Sequence, residues 1–181
     1  QSLNDAAITF GATYFQNRLE DEIFTSYPAP DFIATPANSE AISRQRGVEA
    51  YLNARVGRAW RIDAAYTYLH AREAGLEEVR RPPHIASVSV NWQAPGDRLG
   101  LTGVLRYNGE SDDLAFTDPS YVPVRERLDD YFLVNLNADY RLTDTISIFG
   151  RVENLFDERY EDVFSFTNPG ISAFAGLRAK I

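Results

Sequence analysis

A two-residue alternation that keeps charge off one face constrains this chain more than any other feature. In residues 145–155, Ile146, Ile148, Gly150 and Val152 share one face, while Ser147, Phe149, Arg151 and Glu153 share the other. Residues 131–140, 99–108, 85–92, 60–69 and 47–56 alternate in the same way. So do a first segment (Ile8, Phe10, Ala12, Tyr14) and a last one (Ile171, Ala173, Ala175, Leu177, Ala179, Ile181). A period of two is the spacing of a β-strand, and little in the chain repeats at the 3.6 residues of a helix. The pattern predicts eight strands and an all-β fold. Within these segments the apolar faces hold no Asp, Glu, Lys or Arg. The opposite faces hold Glu49, Arg55, Arg61, Asp63, Arg106, Asp139, Arg151, Glu153, Arg178 and Lys180. In a lipid-facing sheet each misplaced Arg or Lys at mid-membrane would cost roughly 2–4 kcal/mol, which would produce this sorting. A soluble sheet with one buried face also alternates, so alternation alone leaves both environments open.

The connections separate the two. Long links at 25–43, 70–84, 109–129 and 157–169 alternate with tight ones at 57–59, 94–98 and 141–144. Outer-membrane barrels have short periplasmic turns and long extracellular loops, whereas soluble hairpin loops are mostly short. Aromatics near the strand ends (Trp60, Trp92, Tyr68, Tyr107, Tyr140, Phe156 and Tyr160) sit where interfacial girdles belong. Mean hydropathy is -0.33 and no apolar run approaches the roughly 20 residues of a membrane-spanning helix. An alternating barrel strand escapes that test. The 18 Lys+Arg against 26 Asp+Glu give a net charge of -8, which argues against nucleic acid as a partner. With no Cys there is no disulfide framework or thiolate metal site, and with no Met we expect a processed or partial polypeptide.

Residues 151–160, Arg-Val-Glu-Asn-Leu-Phe-Asp-Glu-Arg-Tyr, resemble the Asn-Leu-Phe-Asp-x-x-Tyr motif near the C-terminus of TonB-dependent outer-membrane transporters. The motif residues are Asn154, Leu155, Phe156, Asp157 and Tyr160. Neighbouring stretches resemble the same barrel: Tyr140 to Asp144, Pro169-Gly170 with Phe174 to Arg178, Tyr14 to Arg18, Arg46 to Glu49, and Tyr66 to Leu69. The resemblance covers essentially the whole chain. It implies the last eight strands of a 22-stranded antiparallel transmembrane β-barrel, with residues 1–181 as the C-terminal segment. The plug domain and earlier strands would lie elsewhere in the same polypeptide. It further implies a Gram-negative outer membrane, contact with lipid, and coupling to TonB through an N-terminal region outside this chain. The family usually ends in an aromatic residue, and here the last residue is Ile181.

The residues of the motif suggest a structural role. Asn154 and Asp157 stand where a strand leaves the membrane, and both side chains can bond local backbone. Phe156 and Tyr160 are expected to anchor in the interface. The expected ligand contacts are on the long loops: Tyr27, Phe32, Arg80, Arg81, Phe116, Tyr121, Arg125, Arg127, Phe164 and Phe166. Arg beside aromatics would suit an anionic, partly apolar chelate, and the competing reading is that these side chains order the loops themselves. Arg61, Asp63, Arg106, Asp139, Arg151, Glu153 and Arg178 are expected to face the lumen, meeting the plug and one another as pairs, because unpaired charge beside a packed plug is costly.

No catalytic residue, cofactor or metal site is expected. His70 and His84 lie in or beside the 70–84 link without the spacing of a triad. The acidic groups Glu20-Asp21-Glu22, Asp112-Asp113, Asp129-Asp130 and Glu161-Asp162 match no calcium loop and read as solvated charge. The resemblance implies active transport of a nutrient chelate, first a ferric siderophore and next cobalamin. Two rivals stand beside it. One is a self-contained eight-stranded porin or adhesin. The other is a soluble lipocalin-like barrel with Trp60, Trp92 and Leu101 inside.

Overall fold

The computed structural model describes residues 6–117, 119 and 122–180. In chain order the strands are β1 (Ala6–Leu19), β2 (Ile23–Ser26), β3 (Thr35–Asn38), β4 (Ser43–Val56), β5 (Trp60–Glu73), β6 (Leu76–Glu77), β7 (His84–Gln93), β8 (Leu99–Asn108), β9 (Ser111–Ala115), β10 (Val124–Leu128), β11 (Tyr131–Arg141), β12 (Ile146–Glu153), β13 (Glu161–Val163), β14 (Phe166–Thr167) and β15 (Ser172–Ala179). The described residues contain no helix.

Eight of these strands form one antiparallel path, β1-β4-β5-β7-β8-β11-β12-β15, with β6 beside β5. They correspond to the eight alternating segments of the sequence. The path is open, with β1 and β15 at its edges. Because consecutive wall strands pair, every tight turn falls at one end of the sheet and every long link at the other.

The register explains the sorting of charge. One row runs Ile8, Ala54, Ile62, Val90, Gly103, Leu136, Val152 and Ala173 across all eight strands. The next runs Ala7, Arg55, Arg61, Asn91, Thr102, Asn137, Arg151 and Phe174. A one-residue step moves every side chain to the other face, so apolar rows and polar rows never mix. The sheet has little core of its own. Among the described residues its buried apolar side chains are few, Ala54, Ala71 and Leu133, while Phe10 is 78% exposed and Leu177 is 74% exposed. A soluble half-buried sheet would cover those side chains. This one presents them, as a wall facing lipid does.

Aromatic rows bound the apolar face. At the tight-turn end Trp60 pairs with Trp92, their ring centroids 6.2 Å apart. At the long-link end Tyr14, Val48, Tyr68 and His84 form one row. From Trp60 to Tyr68 the strand spans about 26 Å at ~3.3 Å per residue. Tilted as barrel strands are, it covers about 20 Å of membrane thickness, close to the usual apolar band.

The strands at the first edge run further than the alternating pattern predicts. β1, β4 and β5 each have 14 residues, against 8 to 11 in the other wall strands. His70, expected in the link, therefore lies inside β5, paired with Arg46. The long links are also not structureless. Hairpins β2–β3, β9–β10 and β13–β14 stand within three of them.

Candidate functional site

The long-link end carries four loops that are cross-tied by buried polar groups. Asp113, on β9, is fully buried. One of its carboxylate oxygens accepts from Arg80 Nε at 2.7 Å and from its neighbour Leu114 N–H at 2.8 Å. The other accepts from Phe164 N–H at 2.7 Å. A single side chain thus ties the β5–β7, β8–β11 and β12–β15 links together. Burial alone would raise its pKa. The Phe164 N–H, the Arg80 guanidinium and the Leu114 N–H outweigh that, holding it below the usual carboxylate range. The acidic pair Asp112-Asp113, read from sequence as solvated charge, is thus corrected. The oxygens of Asp113 are committed to protein donors, and Asp112 takes Arg125 Nη1 at 2.7 Å. The available signal was the set of loop arginines facing these acids, but the pairing is long-range and no local spacing reveals it.

The four loop arginines singled out from sequence are paired. Arg80 binds Asp113, and Arg81 lies 3.6 Å from Glu78. Arg125 also donates to the Glu77 carbonyl at 2.6 Å, and Arg127 meets Glu110. Phe164 is half-buried, with its N–H on Asp113. Tyr27, Phe32, Phe116 and Phe166 are exposed, at 61%, 66%, 57% and 71%. Tyr121, like Ile181, lies outside the described residues.

A cleft of about 600 Å³ opens between the β2–β3 hairpin, the 73–81 segment and the β9–β10 hairpin. Glu22, Phe24, Glu73, Leu76, Glu77, Glu78, Arg81, Leu114 and Arg125 are among its lining. Of the nine described loop residues singled out from sequence, Arg81 and Arg125 reach it. Of the four glutamates Glu22 was named from sequence, within an acidic group read as solvated charge, and Glu73, Glu77 and Glu78 were not singled out. Ser39 Oγ, donating to Glu73 at 3.0 Å, binds the first long link to this rim.

The Asn154–Tyr160 motif forms a clamp. Asn154 adopts a positive φ of 49° and is 5% exposed. Its N–H donates to Asn135 Oδ1 at 2.8 Å, and its Nδ2 donates to the Glu158 carbonyl at 2.9 Å. Its Oδ1 accepts the Glu158 N–H at 2.8 Å. Asp157, also at positive φ, accepts the Ile171 N–H at 2.8 Å. The Leu155 N–H donates to the Val134 carbonyl at 2.8 Å. Asn and Asp tolerate the left-handed region because their short side chains satisfy local backbone. Phe156 is 71% exposed. Tyr160 differs from expectation. Its ring lies 4.3 Å from that of Tyr131, tilted by 37°; Tyr131 belongs to the polar face, and burial together with nearby Asp162 pushes the Tyr160 pKa up.

On the polar face Arg61 pairs with Asp63 at 2.9 Å, and Arg151 pairs with Glu153 at 3.3 Å, each two residues along one strand. Arg151 also lies over Phe174, 4.7 Å from the ring centroid, and Arg178 lies over Phe149 at 5.7 Å. Asp139 packs against Gly100, its register partner. Arg106 makes no ion pair among the described residues.

An open antiparallel wall with one charge-free face, aromatic borders and all long loops at one end defines a transmembrane β-barrel segment. Residues 2–155 match the family described as TonB dependent receptor-like, beta-barrel. The ferripyoverdine receptor of Pseudomonas aeruginosa is 28% identical over 175 residues, which is 92% of this chain and 21% of that protein. The vitamin B12 transporter BtuB of Photobacterium profundum is 34% identical over 138 residues, 75% of this chain and 20% of that protein. The pyoverdine outer membrane receptor FpvA of Pseudomonas aeruginosa, solved bound to pyoverdine, superposes with a TM-score of 0.77 at 23% identity, covering 96% of this chain and 27% of that one. This chain belongs to the TonB-dependent receptor β-barrel family, whose members are outer-membrane receptors and transporters rather than enzymes, and its place is the outer membrane of a Gram-negative bacterium. It spans about a fifth of the length of those curated relatives.

Proposed function

We propose that this chain is the C-terminal wall of a 22-stranded TonB-dependent transporter that takes up a nutrient metal chelate, first of all a ferric siderophore. The observation that carries the reading is the likeness to the ferripyoverdine receptor over nearly the whole chain, in a protein whose long loops are braced for presentation. A plug domain and the remaining strands would occupy the polar side and the two sheet edges. An eight-stranded barrel closed on itself would pair β1 with β15, and the open path favours the larger barrel over that rival. The chelate would be captured at the loops, and energy delivered through TonB would release it inward.

Within this reading Tyr27, Phe32, Phe116 and Phe166 are the contact candidates, because their rings are exposed over a rigid scaffold. Arg81 and Arg125 would meet ligand at the cleft. Arg80, Arg127 and Phe164 would order the loops. The lumen charges Arg61, Asp63, Arg151 and Glu153 would face the plug as pairs already formed. Cobalamin is the second reading, favoured by the 34% identity to a vitamin B12 transporter.

Uptake of ⁵⁵Fe-labelled siderophores and of radiolabelled cyanocobalamin, in cells with and without the gene, separates the two. Loss of siderophore uptake with cobalamin uptake intact supports the first reading. The converse supports the second, and unchanged uptake of both overturns both.

A further inference from the structure

We propose that the lipid face of β1, β4 and β5 binds the phosphate of an outer-leaflet lipid. The proposal rests on the assignment of this apolar face to lipid. Above the row Tyr14, Val48, Tyr68, the same face continues as Gln16, Arg46, His70 and then as Arg18, Arg44, Arg72. Both registers run without a shift, so these side chains keep the parity of the apolar band. Three arginines in directly opposed positions on strands about 4.8 Å apart repel one another. All four arginines are exposed. Only Arg18 has an acidic partner, Glu20 at 2.6 Å. Among the described residues Arg44, Arg46 and Arg72 form no ion pair, and Glu77 on β6, which stands opposite Arg72 in register, closes the upper row on its far side. The lack of an ion pair sets these three apart from the loop arginines Arg80, Arg81, Arg125 and Arg127, each of which is paired.

Height matters as much as charge. The two basic rows stand two and four residues beyond the tyrosine row, about 7 and 13 Å along the strands. With barrel tilt this is about 5–10 Å above the apolar band, the depth of lipid headgroups. Guanidinium groups suit phosphate because they donate two parallel hydrogen bonds in one plane. A free phosphate would use only the arginines. An amphiphile would also lay its acyl chains on Tyr14, Val48 and Leu52 directly below, which is why we assign the site to a phosphorylated, multiply acylated lipid. Strands β7 to β15 carry no such row, and they lack the extension that builds it.

The test uses the full-length receptor in nonionic detergent, titrated with bis-phosphorylated lipid A, with its dephosphorylated form and with inorganic phosphate. Bis-phosphorylated lipid A should bind at least tenfold tighter than the dephosphorylated form. The double variant Arg44→Glu/Arg72→Glu should lose at least tenfold in that affinity, with Arg44→Gln/Arg72→Gln intermediate and Arg58→Glu, at the tight-turn end, unchanged. Heat-modifiable migration confirms that each variant is folded, and the neutral pair decides if the charge reversal fails to assemble. Equal binding of both lipid forms, unchanged binding by the variants, or inorganic phosphate binding as tightly as lipid overturns the proposal. Quenching of Trp60 and Trp92 by brominated lipid keeps the two levels apart. No quenching overturns the lipid-face assignment itself, whereas quenching without phosphate dependence overturns only this site.

Discussion

The two faces of this wall solve opposite problems with the same backbone. The apolar face is built for a solvent that cannot hydrogen-bond. It keeps charge out of the band between the Trp60–Trp92 row and the Tyr14–Tyr68 row, and it exposes large side chains such as Phe10 and Leu177. The polar face keeps its charges and neutralises several of them locally, through Arg61–Asp63, Arg151–Glu153 and the rings of Phe174 and Phe149. The glycines divide in the same way. On the polar face rings close over Gly11, Gly47 and Gly176 from register partners Tyr51, Phe15 and Phe149. On the apolar face a Cβ at Gly103 would meet only Leu136, at 3.6 Å. Rings of the same sheet fill the space over one face, and at Gly103 they leave it open on the other.

The sharpest way to break this contrast is to move charge across it. In the full-length receptor Val88→Arg, midway between the two aromatic rows, should destabilise by about 2–4 kcal/mol. Ser89→Arg, one residue away on the polar face, should cost far less. Urea unfolding from liposomes, with heat-modifiable migration as the readout of folded barrel, compares the two. Equal losses would mean that the faces are equivalent. The glycine contrast comes next. Gly47→Ala places a Cβ 2.1 Å from the Tyr68 carbonyl and 2.7 Å from the Phe15 ring, so it should cost about 1–3 kcal/mol in the same assay. Gly103→Ala should be near neutral.

A smaller effect is expected at the loops. Asp113→Asn should lower stability by about 1–2 kcal/mol, because a charged acceptor of three donors becomes neutral. The pH dependence follows from its lowered pKa. An aspartate held below its unfolded value contributes stability that is present above about pH 4, and this is lost as pH falls through the folded pKa. The protection of the Phe164 amide against hydrogen exchange, taken relative to the intrinsic rate at each pH, should therefore fall on acidification in the wild type and show no such step in the variant. The smallest effect is at the wall pairs. Arg61→Ala should change stability by no more than about 1 kcal/mol, since its pair with Asp63 is half-open to solvent.

Much of the wall was legible in the sequence because it rests on a local rule. Alternation, tight turns and long links place all eight strands, and the motif at Asn154 identifies the family. The strand ends were less legible. β1, β4 and β5 continue through Arg18, Arg44 and Arg72 because each strand pairs with its neighbour, although the apolar pattern has already stopped. The loop site was the least legible part. Asp113 draws its donors from residues 80, 114 and 164, and a bond between distant loops leaves no periodic trace. Tyr160 illustrates the same limit. An aromatic near a strand end has the composition of an interfacial anchor, and only its contact with Tyr131 shows that it turns to the polar side.

The central claim is that the charge-free face meets lipid. Single spin labels placed at each position from Gly100 to Tyr107 along β8, in the full-length receptor reconstituted into liposomes, test it directly. Labels at 101, 103, 105 and 107 should be accessible to oxygen dissolved in the bilayer. Labels at 100, 102, 104 and 106 should not, giving a period of two in that phase. The opposite phase, or no period at all, would contradict the account.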